Sequence, residues 1–129
     1  KIAIVLSLIQ ITLGTQVRQL IDEISSSLNH MQRNLWVNLV GTTFKVHRSF
    51  AISLVIINVV LFFRNYKLKY RYQLVNFICA VVFLEVLSGI ILTYFDMLAL
   101  MQPIHLTAAS LLFLLQIALY FQLQKSKSN

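Results

Sequence analysis

Four long apolar runs fill most of a 129-residue chain, at positions 2–17, 49–63, 72–95 and 98–124. The first carries no charge. The third is interrupted by one carboxylate, Glu85, and the fourth only by His105. A helix crosses a hydrocarbon core of about 30 Å in about 20 residues, at about 1.5 Å each. All four runs reach or approach that length once the second is extended upstream through His47. An isolated strand would leave backbone groups unpaired in lipid, so the spans must be helical. The pattern predicts an all-α, integral membrane four-helix up-down bundle spanning 1–129. Its helices are expected near 1–19, 35–64, 72–96 and 102–123, with an outer loop near 20–34.

Composition agrees. Hydrophobic residues make up 58% of the chain and charged residues 12%, against about 25% charged in an ordinary soluble domain. That excludes a disordered chain and a conventional soluble enzyme. Three glycines and one proline give little turn chemistry for a β sandwich. Cys79 is the only cysteine, so no disulfide forms within the chain. The net charge is +7, but the basic residues sit between apolar runs and not along one face, which argues for membrane topology and against nucleic acid. The first run lacks the small-residue cleavage signature of a signal peptide. With no initiator Met and an apolar start, the chain is expected to be a piece of something longer.

Basic residues set the expected orientation. The link 64–71 holds four positive charges, and Lys1, Lys125 and Lys127 fall on the same side, which carries no acidic residue. The opposite side holds Arg18, Arg33, Lys45 and Arg48 against Asp22, Glu23 and Asp96. This predicts both termini inside, with the long 19–44 connection outside. That connection contains His30, read as a solvated loop residue, and Trp36, read as an interfacial anchor.

His47 and His105 are placed differently. Each lies near the outer end of a helix running outside to inside, His105 two residues after Pro103, a residue that suits a first helical turn. The two helices are diagonal neighbours in an up-down bundle. Adjacent axes about 8–10 Å apart give a diagonal of roughly 11–14 Å, a gap that suits a flat macrocycle with one imidazole on each face. A lone interfacial histidine is commonly just tolerated there, bonded to a carbonyl or headgroup. The matched depth of two is what singles out this pair, since ionisable groups within spans tend to be functional. Two histidines would also suit copper or zinc, but neither a cysteine nor a carboxylate pair stands nearby to complete such a site. Arg48 and Arg18, on the same outer side, fit the propionates of such a ring, or simply mark the interface. Gly89 admits the close approach of a helix or a flat cofactor. Gly14 has the same packing reading. Glu85, near mid-membrane, fits either a proton path or a bond to Ser88 or a neighbouring helix.

The order of these features resembles the C-terminal half of the heme A synthase family. Leu13-Gly14-Thr15-Gln16-Val17-Arg18 is similar to the family's Gly-x-x-Val-Arg helix end. Trp36 followed by His47-Arg48 is similar to its Trp and His-Arg pair. Leu87-Ser88-Gly89-Ile90-Ile91, Tyr94, Leu98-Ala99-Leu100 and His105 are similar to its last two helices. The resemblance implies a duplicated four-helix plan, with a histidine pair in each half, and an enzyme that oxidises a methyl group of heme O to the formyl group of heme A. It implies that His47 and His105 are the axial ligands of a heme b, with Arg18, Arg48 and Gly89 around it, exchanging electrons with a substrate site in the other half. It further implies a multi-pass protein of the bacterial plasma membrane, in contact with lipid, with heme O and heme A as substrate and product. An N-terminal half or a second copy, and heme O synthase, are the implied protein partners.

The chain departs from the family pattern at one telling place. The N-terminal half carries a glutamate three residues before its first histidine, implicated in catalysis; here that position is Phe44. The outer-loop cysteine pair of many members is also missing. The chain therefore reads as the cofactor half, with the catalytic residues elsewhere. Two other readings stand beside it: a bis-histidine membrane cytochrome linked to quinol, and a heme-free membrane assembly factor.

Overall fold

The computed structural model describes residues 1–68 and 72–128. Five helices form, α1 (Ile2–Ser27), α2 (Arg33–Val40), α3 (Thr42–Tyr66), α4 (Gln73–Tyr94) and α5 (Met101–Ser128). There is no strand among the described residues. All but the short α2 are long and apolar enough to cross a membrane. The four long helices pack as an up-down bundle in which α1 neighbours α3 and α5, α4 neighbours the same two, and α3 faces α5 across the diagonal. Both termini lie at one end, where Lys1 Nζ stands 5.7 Å over the Tyr120 ring and Tyr72 Oη donates to Ser126 Oγ at 3.3 Å. At that end Asn65 closes the α3–α4 link by accepting the Tyr72 N–H at 2.9 Å and donating to its carbonyl at 3.2 Å. Of the basic cluster in this link, Lys69 and Arg71 lie outside the described residues.

Large apolar side chains such as Ile56, Phe77, Phe83 and Leu114 point outward, as they must when lipid replaces water around the bundle. Inside, the packing at this end rests on Leu54, Ile78, Val82, Leu112 and Leu119. Through this apolar layer runs a buried polar chain joining three helices. Ser7 Oγ donates to Gln116 Oε1 at 2.7 Å, Gln116 Nε2 donates to Asn58 Oδ1 at 3.2 Å, and Asn58 Nδ2 returns to the Leu54 carbonyl at 2.8 Å. The Gln116–Asn58 bond bridges the α3–α5 diagonal.

The opposite end departs from the sequence expectation in three ways. Helix one does not stop near 19: it runs to Ser27, held by Arg18–Asp22 at 2.9 Å and Gln19–Glu23 at 3.1 Å, both four residues apart. The segment expected to open helix two is a separate helix. Gly41, at φ +65°, breaks the chain between α2 and α3, a conformation that glycine adopts without a side-chain clash. Trp36 is buried and not an exposed anchor: it packs with Ile21, Val40 and Met97 in a second core, and its indole N–H donates to the Met31 carbonyl at 2.9 Å. Together α2 and the outer turns of α1 cap this end of the bundle. His30 is exposed as expected, with Ser25 Oγ at 2.8 Å from its Nδ1.

The buried polar chain generates a graded prediction. Gln116→Ala removes two bonds and leaves Asn58 Oδ1 and the Ser7 hydroxyl without their partner, at about 1–3 kcal/mol for an unsatisfied buried group. Ser7→Ala removes one, at about 0.6 kcal/mol, the average for such a bond in a membrane bundle. Reversible unfolding in detergent–lipid mixtures reads the order directly; equal losses would show that the chain of bonds is not what closes this layer.

Candidate functional site

Above the polar chain the diagonal opens into a cavity of about 460 Å³. Its lining includes His47 and Arg48 of α3, Glu85 and Gly89 of α4, His105 of α5 and Gln10 of α1. The walls are apolar, with Ala51, Val55, Val82 and Leu112 among them. On the α3–α4 side, Ile52, Ile56 and Ile90 line the cavity yet are about half exposed, so it opens laterally toward lipid as well as toward the capped end.

Helical periodicity brings the lining together. On α3, His47, Leu54 and Asn58 stand at i, i+7 and i+11; on α5, His105, Leu112 and Gln116 repeat that spacing. Seven and eleven residues are near-whole numbers of turns at 3.6 per turn, so each set shares a face. In both helices that face meets the diagonal: the histidines at the cavity, the leucines at its floor, the amides beneath.

The partner helices repeat a second pattern. Gln10 and Gly14 on α1, and Glu85 and Gly89 on α4, are each four residues apart and therefore neighbours on one face. Each glycine makes room for a histidine. A Cβ at Gly14 would lie 3.3 Å from His47 Cε1, and one at Gly89 would lie 3.5 Å from His105 Cε1. Each polar residue touches the same ring. Gln10 Nε2 lies 3.1 Å from Nδ1 and 3.3 Å from Nε2 of His47. Glu85 Oε2 lies 3.2 Å from His105 Nδ1.

His105 has one more partner, Ser88. Ser88 Oγ–H donates to the Glu85 carbonyl at 3.1 Å, and the same oxygen lies 2.8 Å from His105 Nδ1, where it accepts when that nitrogen carries the ring proton. Nε2 is then the nitrogen with an open lone pair, which is the form that ligates a metal. His47 is held more loosely. Its ring edge faces Gln10 with both nitrogens, and turning about the broad Cβ–Cγ torsion releases Nε2. Two buried acceptors facing this cavity, Gln10 Oε1 and Glu85 Oε1, have no hydrogen-bond partner.

The structure thus brings His47, His105, Arg48 and Gly89 to one cavity. Arg48 stands at its edge, its guanidinium 6.0 Å from the Phe44 ring centre. Arg18 is not in the lining: it lies on the outer face of α1, paired with Asp22. Gln10 went unnoticed in the sequence because a neutral amide in an uncharged run carries no mark of its own. The four-residue spacing to Gly14, matching Glu85 to Gly89, was the available signal.

These features define a class: multi-pass membrane bundles that enclose a paired-imidazole cavity. The model of the COX15-CtaA family, described as cytochrome oxidase assembly protein, matches residues 1–117. The chain belongs to this family, that of the heme A synthases. No curated protein and no solved structure matches it.

The two glycine contacts differ in a way that stability can read. Alanine stabilises a helix interior by about 0.5–1 kcal/mol over glycine. Gly89→Ala keeps that gain, because its Cβ meets His105 at an ordinary distance. Gly14→Ala loses it, because the His47 ring must shift. Thermal melts in detergent should show a higher Tm for Gly89→Ala alone; a rise for both would mean that the Gly14 contact is slack.

Proposed function

We propose that this chain is the C-terminal, heme b-binding half of a heme A synthase, with His47 and His105 as the axial ligands. The observation that carries the reading is the shared cavity, where two imidazoles on diagonal helices each rest on a glycine of an adjacent helix. The residues fit the group. The walls are apolar, the rings come from helices on opposite sides, the Ser88 and Glu85 oxygens beside His105 Nδ1 favour the tautomer that leaves Nε2 to ligate, and two buried acceptors have no partner within the chain. When bound, heme b supplies one-electron redox chemistry at the iron.

The chain's own residues do the rest. Arg48, at the cavity edge, would hold a propionate of the bound group through its guanidinium. Arg18 serves the same end by leaving Asp22, a change that costs little because exposed ion pairs contribute about 0–1 kcal/mol. Leu54 and Leu112 seal the floor, and the Ser7–Gln116–Asn58 chain keeps the helices below it together. Phe44 stands where the family's N-terminal half carries its glutamate, so the oxidation of the heme O methyl group falls to an N-terminal four-helix half or to a second copy. The positive charge at the end bearing both termini favours a cytoplasmic placement for that end, with the cavity in the outer leaflet of a bacterial plasma membrane. Heme O and heme A are the substrate and product of the whole enzyme, and heme O synthase is its natural supplier.

The test is optical. Purified protein titrated with ferric heme should give the low-spin spectrum of two nitrogen ligands. His47→Ala and His105→Ala should each abolish it, and Arg48→Gln should weaken binding without changing spin state. If both alanine variants keep the wild-type spectrum, the ligand assignment is wrong.

A further inference from the structure

The two hairpins of the bundle, α1 with α3 and α4 with α5, place the same kinds of residue around their histidines, but not the same residues. Position four before the glycine is an amide on α1, Gln10, and a carboxyl group on α4, Glu85. Position one before it is Leu13 on α1 and Ser88 on α4. His47 therefore meets one neutral partner, while two oxygens converge on His105 Nδ1, Ser88 Oγ at 2.8 Å and Glu85 Oε2 at 3.2 Å. Ser88 is buried and its hydroxyl donates to the Glu85 carbonyl, which leaves its oxygen to accept from His105 when Nδ1 carries the ring proton.

We propose that Glu85 and Ser88 are positioning residues. Together they hold His105 as the Nδ1–H tautomer with a fixed ring plane, and so make it the more rigid of two unequal axial ligands. The proposal rests on the heme reading above and deepens it. An imidazole whose outer nitrogen is held by two acceptors keeps its inner lone pair directed at one point. Loss of such support generally lowers metal-site affinity by about 10- to 100-fold. His47, with a single amide across both ring nitrogens, lacks such a pair of acceptors and would be the ring that adjusts when heme is bound. The geometry also separates these residues from mere packing. Neither fills a void beside the ring: Gly89 supplies that space, and the two oxygens address one nitrogen.

The experiment compares wild type, the double variant Glu85→Ala/Ser88→Ala, Glu85→Gln and His105→Ala, each as the full chain titrated with ferric heme b. Heme affinity is read by absorbance, and the orientation of the imidazole planes by the g-anisotropy of the low-spin electron paramagnetic resonance signal. The double variant should lose about 10- to 100-fold in affinity and broaden the low-spin signal. Glu85→Gln keeps a carbonyl oxygen for Nδ1–H and should preserve both the affinity and the signal. Circular dichroism checks that each variant is folded. Should the double variant fail to fold, Glu85→Ala against Glu85→Gln carries the comparison: a gap between them supports the proposal and equality overturns it. An unchanged affinity and signal in the folded double variant overturns it too. If His105→Ala abolishes the signal while the double variant leaves it intact, only the positioning role has failed. If wild type gives no low-spin signal at all, the heme reading fails and takes the positioning role with it.

Discussion

A polar side chain inside a membrane-spanning bundle must find its partner in the protein, and this one requirement organises the interior. Water is absent from the hydrocarbon layer, and an unpaired polar group there costs several kcal/mol by hydrocarbon transfer, about 1–3 by mutational measure. Among the described residues, six polar side chains besides the two histidines nonetheless project toward the centre. Ser7, Asn58 and Gln116 satisfy one another in the lower half. Gln10, Glu85 and Ser88 are spent on the two histidines in the upper half. The bundle is therefore closed by polar bonds at one level and held open by polar contacts at the next.

The division follows from spacing on a 3.6-residue helix. Because His47–Asn58 and His105–Gln116 are both eleven residues apart, one face of each helix supplies both levels. The leucine at i+7 separates the levels, so the lower chain of bonds neither hydrates the cavity nor competes for the imidazoles. Glycines set the approach on the other two helices. Gly14 and Gly89 each let a histidine ring lie close against the backbone of the adjacent helix. Even a methyl group at Gly14 would press on the His47 ring, whereas at Gly89 there is room for a methyl group against His105 and no more than ordinary contact.

Much of this was legible in the sequence. Four spans followed from run length, and their shared end for both termini followed from an even number of crossings. His47 and His105 could be matched in depth because each lies near the start of a helix that runs toward the end holding both termini. What the sequence hid were features that depend on a neighbour's identity. Gln10 is a polar residue in an uncharged run until His47 is seen beside it. The outer turns of α1 read as loop because Asp22, Glu23 and three serines lack an apolar stripe, yet Ile21 and Ile24 on that segment pack against α2. Trp36 reads as an interfacial ring and is instead enclosed by the cap. Gly41 lies inside the stretch expected as one helix over 35–64, and the break there came only from the structure.

The central claim is that two imidazoles, one from each hairpin, meet a single group in this cavity. Chain labelled with nitrogen-15 at histidine alone and loaded with ferric heme, examined by pulsed electron–nuclear resonance, counts the histidine nitrogens bound to iron. Two equivalent-class couplings, reduced to one when either His47 or His105 is left unlabelled by segmental synthesis, are the predicted result. One coupling in the fully labelled protein, or a second that survives when both positions are unlabelled, would contradict it.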